Sequence, residues 1–553
     1  MSDTTPSFDL RNLRPQPNSW LETDLKYEGS GTAELASPKG TIAGPFVAKF
    51  NEYVSSFIET VVETATPCDP SYEGNAFSFI SGATPQRAEG VTSWGFSGMK
   101  NPCERIEFAT EGGIFVSTGK VDWAGMNAGT EPTRLRFSVR EGKFETQNQE
   151  PAKYFVIPLF NCVAELTNVL YGEHPLRIFP TPSIPINVPP EKRIIANMIA
   201  NEKNSVLGFS MDGRVCFIER VPDYEAYVAA LRSGAARRKI TAVLVGDVGT
   251  NPVATLADFR SWFPHEILSA LSFASGVEVG WPWVEIRDEK GSLIRRLHGG
   301  TRTPAFSDGD DVFGQFSRPG AGDFITRYVL LSNEKRSYLE VVMNHVRLGS
   351  LGSPLHLHDL LDHLVRALDC LCREHKFTRQ DLMCLLSVEA KDKVRDLTSE
   401  FTTKLRQLGD EANQSGNLDD YRILTTIASR AASVAQTENK LGLGAVALLK
   451  KLGLPDADVI DAFLASKGRP DWATLISIYR NATVHEGYLD FTTKHDAREV
   501  IQLCAHLKDV LTRIVLKECD YDGSYDSVLR HSFGPQPIDW VGNGTDPSDL
   551  QFT

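Results

Sequence analysis

No stretch of this sequence stays apolar for the ~20 residues that a membrane-spanning helix needs, so no bilayer segment is expected. The opening residues, MSDTTPSFDLRNLRPQPNSW, lack a basic start followed by an apolar core, and no secretory signal is read there. Cysteine is sparse and patternless. The nine thiols, Cys68, Cys103, Cys162, Cys216, Cys370, Cys372, Cys384, Cys504 and Cys519, are scattered and odd in number. That spacing suggests no disulfide framework and points to a reducing, cytoplasmic setting. An excess of positive charge is lacking too. The formal net charge of −13 argues against a surface given over to nonspecific nucleic-acid binding, although a local basic cleft remains compatible with it. There is no Walker A loop, no dinucleotide-binding glycine pattern and no Gly-x-Ser-x-Gly elbow, so no cofactor is expected. No internal repeat is apparent.

What is present reads as a soluble, multidomain α+β protein. A chain of 553 residues exceeds what one core usually supports, and 41% hydrophobic with 23% charged residues is ordinary for globular domains. Residues 1–300 are strand-rich and mostly antiparallel, with aromatic and β-branched runs such as GTIAGPFVAKF and RIEFATEGGIFVSTGKV. Asp212-Gly213 marks one tight hairpin and Glu289 to Ser292 another. A break near residue 190, at Pro189-Pro190, would divide this half in two. The Gly-, Pro-, Ser- and Asp-rich stretch 301–323 is read as a linker unable to sustain helix or central strand. Residues 324–520 then turn helical. In LHLHDLLDHLVRALDCLCREH, a leucine stripe runs through Leu357, Leu360, Leu361, Leu364, Leu368 and Leu371. Residues 521–553 form a tail that packs as an extended arm or stays loosely ordered.

Within the helical half lies RNATVHEGY, Arg480 to Tyr488. Arginine grips phosphate in bidentate fashion and stays charged. Histidine moves protons near neutral pH. If helix continues through the motif, Asn481 and His485 share a face at i and i+4. Spacing alone decides nothing, because an arginine also precedes a histidine by five positions in Arg260 to His265. That copy carries Pro264, has no polar residue after the arginine and lies in the strand-rich half. The plainer reading of the Arg480 copy is a surface ion pair and a packed histidine.

Arg480-Asn481 with His485, late in a helical bundle behind an unrelated N-terminal half, resembles the HEPN superfamily over about residues 325–520. The two-part layout, with LSALSFASG near the end of the first half, is similar to the ApeA-like anti-phage (abortive-infection) proteins. The resemblance implies an all-α HEPN-like bundle and a metal-independent RNA endonuclease acting as a toxin effector, with Arg480, Asn481 and His485 as its catalytic residues. It also implies a homodimer whose two motifs face one composite site, transfer RNA as a target, and a phage-derived trigger sensed by the N-terminal half. Some relatives carry a tyrosine two positions after the histidine, where this chain has Gly487, with Tyr488 one later. Control by a modifying antitoxin is therefore not expected.

Two further constellations stand beside the motif. On a helix, His356, Asp359 and His363 share a face that can hold zinc, with His358, Asp362, Cys370, Cys372 and His375 nearby. This would make a metal-dependent hydrolase; the plainer reading is a leucine-striped core helix, and no metal is assigned. Arg237, Arg238, Arg295 and Arg296 are read as RNA contacts, against the plainer reading of solvated charge. A non-catalytic HEPN module that binds nucleotide, RNA or a scaffold partner is the main alternative to the nuclease.

Overall fold

The computed structural model describes residues 25–164 and 206–538 apart from internal stretches, the longest being 63–84. The expected break near residue 190 lies outside the described residues. The chain divides into two compact units, Met1–Arg336 and Ser337–Thr553.

The first unit is built on antiparallel strands: β1 Leu25–Ala36, β2 Lys39–Phe50, β3 Ser56–Val62, β4 Pro85–Ala88, β5 Val91–Trp94, β6 Cys103–Thr110, β7 Gly113–Ser117, β8 Val121–Asn127, β9 Thr133–Val139, β10 Gly142–Thr146, β11 Tyr154–Phe160, β12 Val206–Met211, β13 Arg214–Arg220, β14 Ile240–Asp247, β15 Trp283–Arg287 and β16 Leu293–His298. Pairing runs β6-β1-β2-β3-β9-β8, and β8 returns to β6 through Cys103 and Val121. Closing the ring satisfies edge strands that would otherwise expose their backbone groups. Beyond β6 the sheet continues through β7, β10, β16, β15, β11, β14 and β13 to β12. The β12–β13 hairpin turns at Asp212 and Gly213 with φ of 50° and 77°, as the sequence suggests.

Every residue of β11 and β15 is buried, so this part of the sheet is covered on both faces. Helices α1 Tyr224–Arg232, α2 Leu256–Trp262 and α3 Glu266–Ser275 belong to this unit. Phe259, Phe263 and Trp262 of α2 and its C-cap meet Phe155 of β11 edge-on.

Helix α4, Arg318–Val329, begins inside the stretch read as linker. Pro319 sits in its first turn, where a missing N–H costs nothing. Phe324 packs on Phe273 and Phe313, and Tyr328 donates to the Glu266 carbonyl at 3.3 Å. Those contacts tie α4 to the first unit, and the division falls at Arg336 rather than within 301–323. Arg336 itself donates to Asp212 at 2.9 Å.

The second unit is helical: α5 Asn333–Leu348 (whose first turn crosses the division), α6 Leu357–Glu374, α7 Val388–Gln414, α8 Leu418–Val434, α9 Leu441–Leu452, α10 Asp458–Ser466, α11 Trp472–Glu486 and α12 Ala497–Glu518. Helix α12 is the central post, buried along nearly its whole length. Several of its buried polar groups are partnered. Lys508 donates to Ser350 at 2.7 Å, and Asp509 accepts from Arg513 at 3.1 Å, Tyr525 at 2.8 Å and Ser527 at 2.5 Å. Tyr525 and Ser527 lie in the tail, so its described part packs as an arm, with strands β17 Ser524–Tyr525 and β18 Gln536–Pro537 paired. The α+β organisation read from the sequence is the one observed.

Candidate active site

Helix α11 starts where Asp471 accepts the backbone N–H of Thr474 at 2.7 Å, capping the first turn. Trp472, Ala473, Leu475, Ile476 and Tyr479 are buried. They hold one side of α11 against α6, α9 and α10. The helix continues without a break through Arg480 and Asn481 to Glu486. At 100° per residue, positions 474, 478, 481 and 485 fall on the side away from that core. Ile478, in the middle of this face, is 47% exposed. Arg480 is partly buried and lies around the flank. The side chains of Asn481 and His485 lie outside the described residues, as do Gly487 and Tyr488. What is established for the motif is therefore its placement: Asn481 and His485 occupy adjacent positions on the outward face of a well-anchored helix.

Two contacts fix the depth and rotation of that helix. Tyr479, one residue before Arg480, donates to the Glu499 carboxylate at 3.2 Å, and Arg469 donates to its other oxygen at 2.9 Å. Glu499 is buried in the first turn of α12. Burial and the neighbouring Glu499 charge push the Tyr479 phenol well above its ordinary range. His495 meets the Tyr479 ring edge-on with centroids 5.1 Å apart. On another side, Gly442 of α9 lies so close that a Cβ there would stand 1.7 Å from the Ala473 carbonyl oxygen. Sequence reading missed Glu499 and Gly442. Both stand far from the motif in the chain and carry no local spacing signal.

The rival arginine–histidine pair is absorbed by the first unit. Arg260 donates to Glu141 at 2.8 Å and to the Gly299 carbonyl. His265 stacks on Trp281, and burial, helped by Arg260, lowers its pKa to about 4.

The His356–Asp359–His363 face does not gather. His356 is the N-cap residue of α6 and stacks on His358, which pairs with Asp359 at 3.3 Å. His363 Nδ1 faces His345 Nδ1 at 2.9 Å, and burial lowers the pKa of both rings. Among the described residues no group of three or more His, Cys, Asp or Glu side chains is placed to hold a metal ion. His375 instead contacts Glu518 at 2.9 Å and Lys451 at 3.1 Å.

The basic residues read as RNA contacts separate. Arg237 is exposed, while Arg238 is buried. Arg295 is mostly covered and pairs with Glu145 at 3.4 Å. Arg296 is a correction. It is buried and gives two hydrogen bonds to Glu285, at 2.9 and 2.7 Å, and one to the Tyr27 hydroxyl at 2.6 Å. Its charge neutralises a buried carboxylate and is not presented to phosphate.

No family model, no curated protein and no solved structure matches this chain. Function must be argued from the site.

Proposed function

We propose that the chain is a metal-independent RNA endonuclease of HEPN type. In this reading it acts in the cytoplasm as an anti-phage, abortive-infection effector, and its N-terminal unit controls it. RNA carries its own nucleophile, the 2′-hydroxyl. Attack on the adjacent phosphorus forms a 2′,3′-cyclic phosphate and releases the 5′-oxygen. One group must accept the 2′-hydroxyl proton, and one must protonate the leaving oxygen. His485 suits proton transfer, since an unperturbed imidazole titrates close to the operating pH. Arg480 matches the charge that gathers on the non-bridging oxygens. Asn481 orients the phosphate or fixes the His485 tautomer.

The observation that carries the reading is the unbroken helix through the motif, which places positions 481 and 485 together on the side away from the core. One helix supplies one histidine for a two-proton reaction. The proposal therefore includes a homodimer in which two motif helices face one RNA. The test is incubation of purified protein with total RNA or transfer RNA, with and without chelator. Chelator-resistant fragments ending in 2′,3′-cyclic phosphate are expected. RNA that is bound but uncut would favour the non-catalytic module.

A further inference from the structure

Helix ends of the second unit meet around His375. It is the C-cap residue of α6, and the chain turns away behind it. Lys376 takes a φ of 62°, and the Phe377 N–H donates to the Cys372 carbonyl at 2.7 Å. The turn buries Phe377 and leaves the imidazole at the end of the helix. Lys451, in the last turn of α9, sets its ammonium 3.1 Å from His375 Nδ1 and 5.6 Å from the centre of the Phe377 ring. Glu518, the last residue of α12, sets Oε1 2.9 Å from His375 Nε2. Its Oε2 accepts from the Tyr338 hydroxyl of α5 at 2.8 Å. Burial and the adjacent Glu518 charge push the Tyr338 phenol above its ordinary range, so it stays a donor.

These partners fix the tautomer of the imidazole. An ammonium donates and never accepts, so Nδ1 carries the lone pair and the ring proton sits on Nε2, beside Glu518. Exposure falls along the same line. Lys451 is exposed, the His375 side chain keeps 13% of its surface in solvent and Glu518 keeps 5%. An amine in water is backed by a base within hydrogen-bond reach. Behind the base stands a buried carboxylate, which steadies the imidazolium that forms when the base gains a proton. That is the arrangement of an activated nucleophile.

We propose that Lys451 is a covalent modification site that takes the acyl group of an activated donor, an acyl phosphate or a thioester, with His375 as its base. The Nζ lone pair attacks the acyl carbon and a C–N bond forms. The bond from that carbon to the phosphate oxygen or thioester sulfur breaks, and its electron pair leaves with the phosphate or thiolate. Two protons leave the nitrogen. The first passes to His375 Nδ1 and on to solvent as the ammonium becomes an amine. The second follows the same route and ends on the departing group. Glu518 acts through His375, as a positioning residue, and Tyr338 holds Glu518. An aldehyde is a poorer match, since imine formation ends in loss of water and calls for an acid where the geometry supplies a base. The proposal goes beyond the RNA chemistry and does not depend on it.

The test is incubation of the full chain with acetyl phosphate at pH 7, with occupancy at each lysine followed by fragment-ion mass spectrometry. Lys450, exposed on the same turn of α9, is the internal reference. Lys451 should be acetylated roughly tenfold faster or more, the lower range of general-base assistance. His375→Asn keeps an acceptor for Lys451 and cannot take its proton. It should bring Lys451 down to the rate of Lys450 with circular dichroism unchanged. Glu518→Gln keeps an acceptor for Tyr338 and removes the charge. It should slow Lys451 several-fold and leave Lys450 as it was, a change in ratio that a purely structural role does not produce. Parallel incubation with acetyl-coenzyme A shows which donor the site prefers. Equal rates at Lys450 and Lys451 with both donors, or a fast Lys451 that survives His375→Asn and Glu518→Gln, would overturn the proposal.

Discussion

Tyr479 and Glu499 join the motif helix to the central post of its unit: the phenol donates to the carboxylate at 3.2 Å, and Arg469 holds the other oxygen at 2.9 Å. Glu499→Ala leaves a buried phenol without its acceptor. The expected loss of stability is about 1–3 kcal/mol, measured by urea denaturation. Because Tyr479 adjoins Arg480, RNA cleavage should fall more than stability does. Glu499→Gln, which keeps an acceptor for Tyr479, should recover most of it. Equal stability of all three forms would show that the contact does not anchor the helix.

His506 gives a pH dependence with a definite sign. It is buried on α12 with its ring edge-on to Trp472, and burial, helped by Arg513, lowers its pKa to about 3. In the unfolded chain an imidazole titrates near its ordinary value of ~6.5, so on acidification the unfolded state takes up the proton first. The neutral native ring is therefore tolerated fully above that value, and stability drains as pH falls toward 3. At pH 5 the loss from this one group is about 2 kcal/mol. His506→Phe keeps the ring packing and should flatten the slope between pH 7 and 5. An unchanged slope would place the acid sensitivity elsewhere, with His265 of the first unit the next group to replace.

Gly442 tests the close approach of α9 to α11. Gly442→Ala forces a methyl group against the Ala473 carbonyl and should cost at least ~1–3 kcal/mol as the helices part. Cleavage should fall with it. A fully stable alanine variant would mean that the two helices pack less closely than described.

In the first unit, Glu285 is buried between Arg296 and Arg287. Those two guanidinium groups hold its carboxyl below the ordinary carboxylate range in spite of burial. Glu285→Ala strands two buried cations and should destabilise that unit by about 3–5 kcal/mol, read by calorimetry. RNA affinity should not respond directly, since Arg296 faces its carboxylate.

Much of this was legible from residue patterns, and the failures have physical causes. The Asp212-Gly213 turn, the leucine stripe of α6 and the continuous helix through Arg480 are local features, set by side-chain period and turn chemistry. Arg296 looked like a surface cation because its partner, Glu285, lies across a hairpin on the neighbouring strand, and burial of both follows from a sheet that single-strand patterns do not reveal. Helix α4 was hidden by its own Pro and Gly residues, which a first turn tolerates and long-range packing of Phe324 overrides. Glu499 was invisible because its acidic side chain at the start of α12 looks like ordinary helix capping charge until Tyr479 is folded against it.

The most direct measurement is cleavage of RNA by the full-length protein and by His485→Ala, compared side by side in chelator. The account predicts that the unaltered chain releases fragments with 2′,3′-cyclic phosphate ends, and that His485→Ala, folded and with unchanged circular dichroism, releases none. Equal cleavage by a folded His485→Ala variant would contradict it.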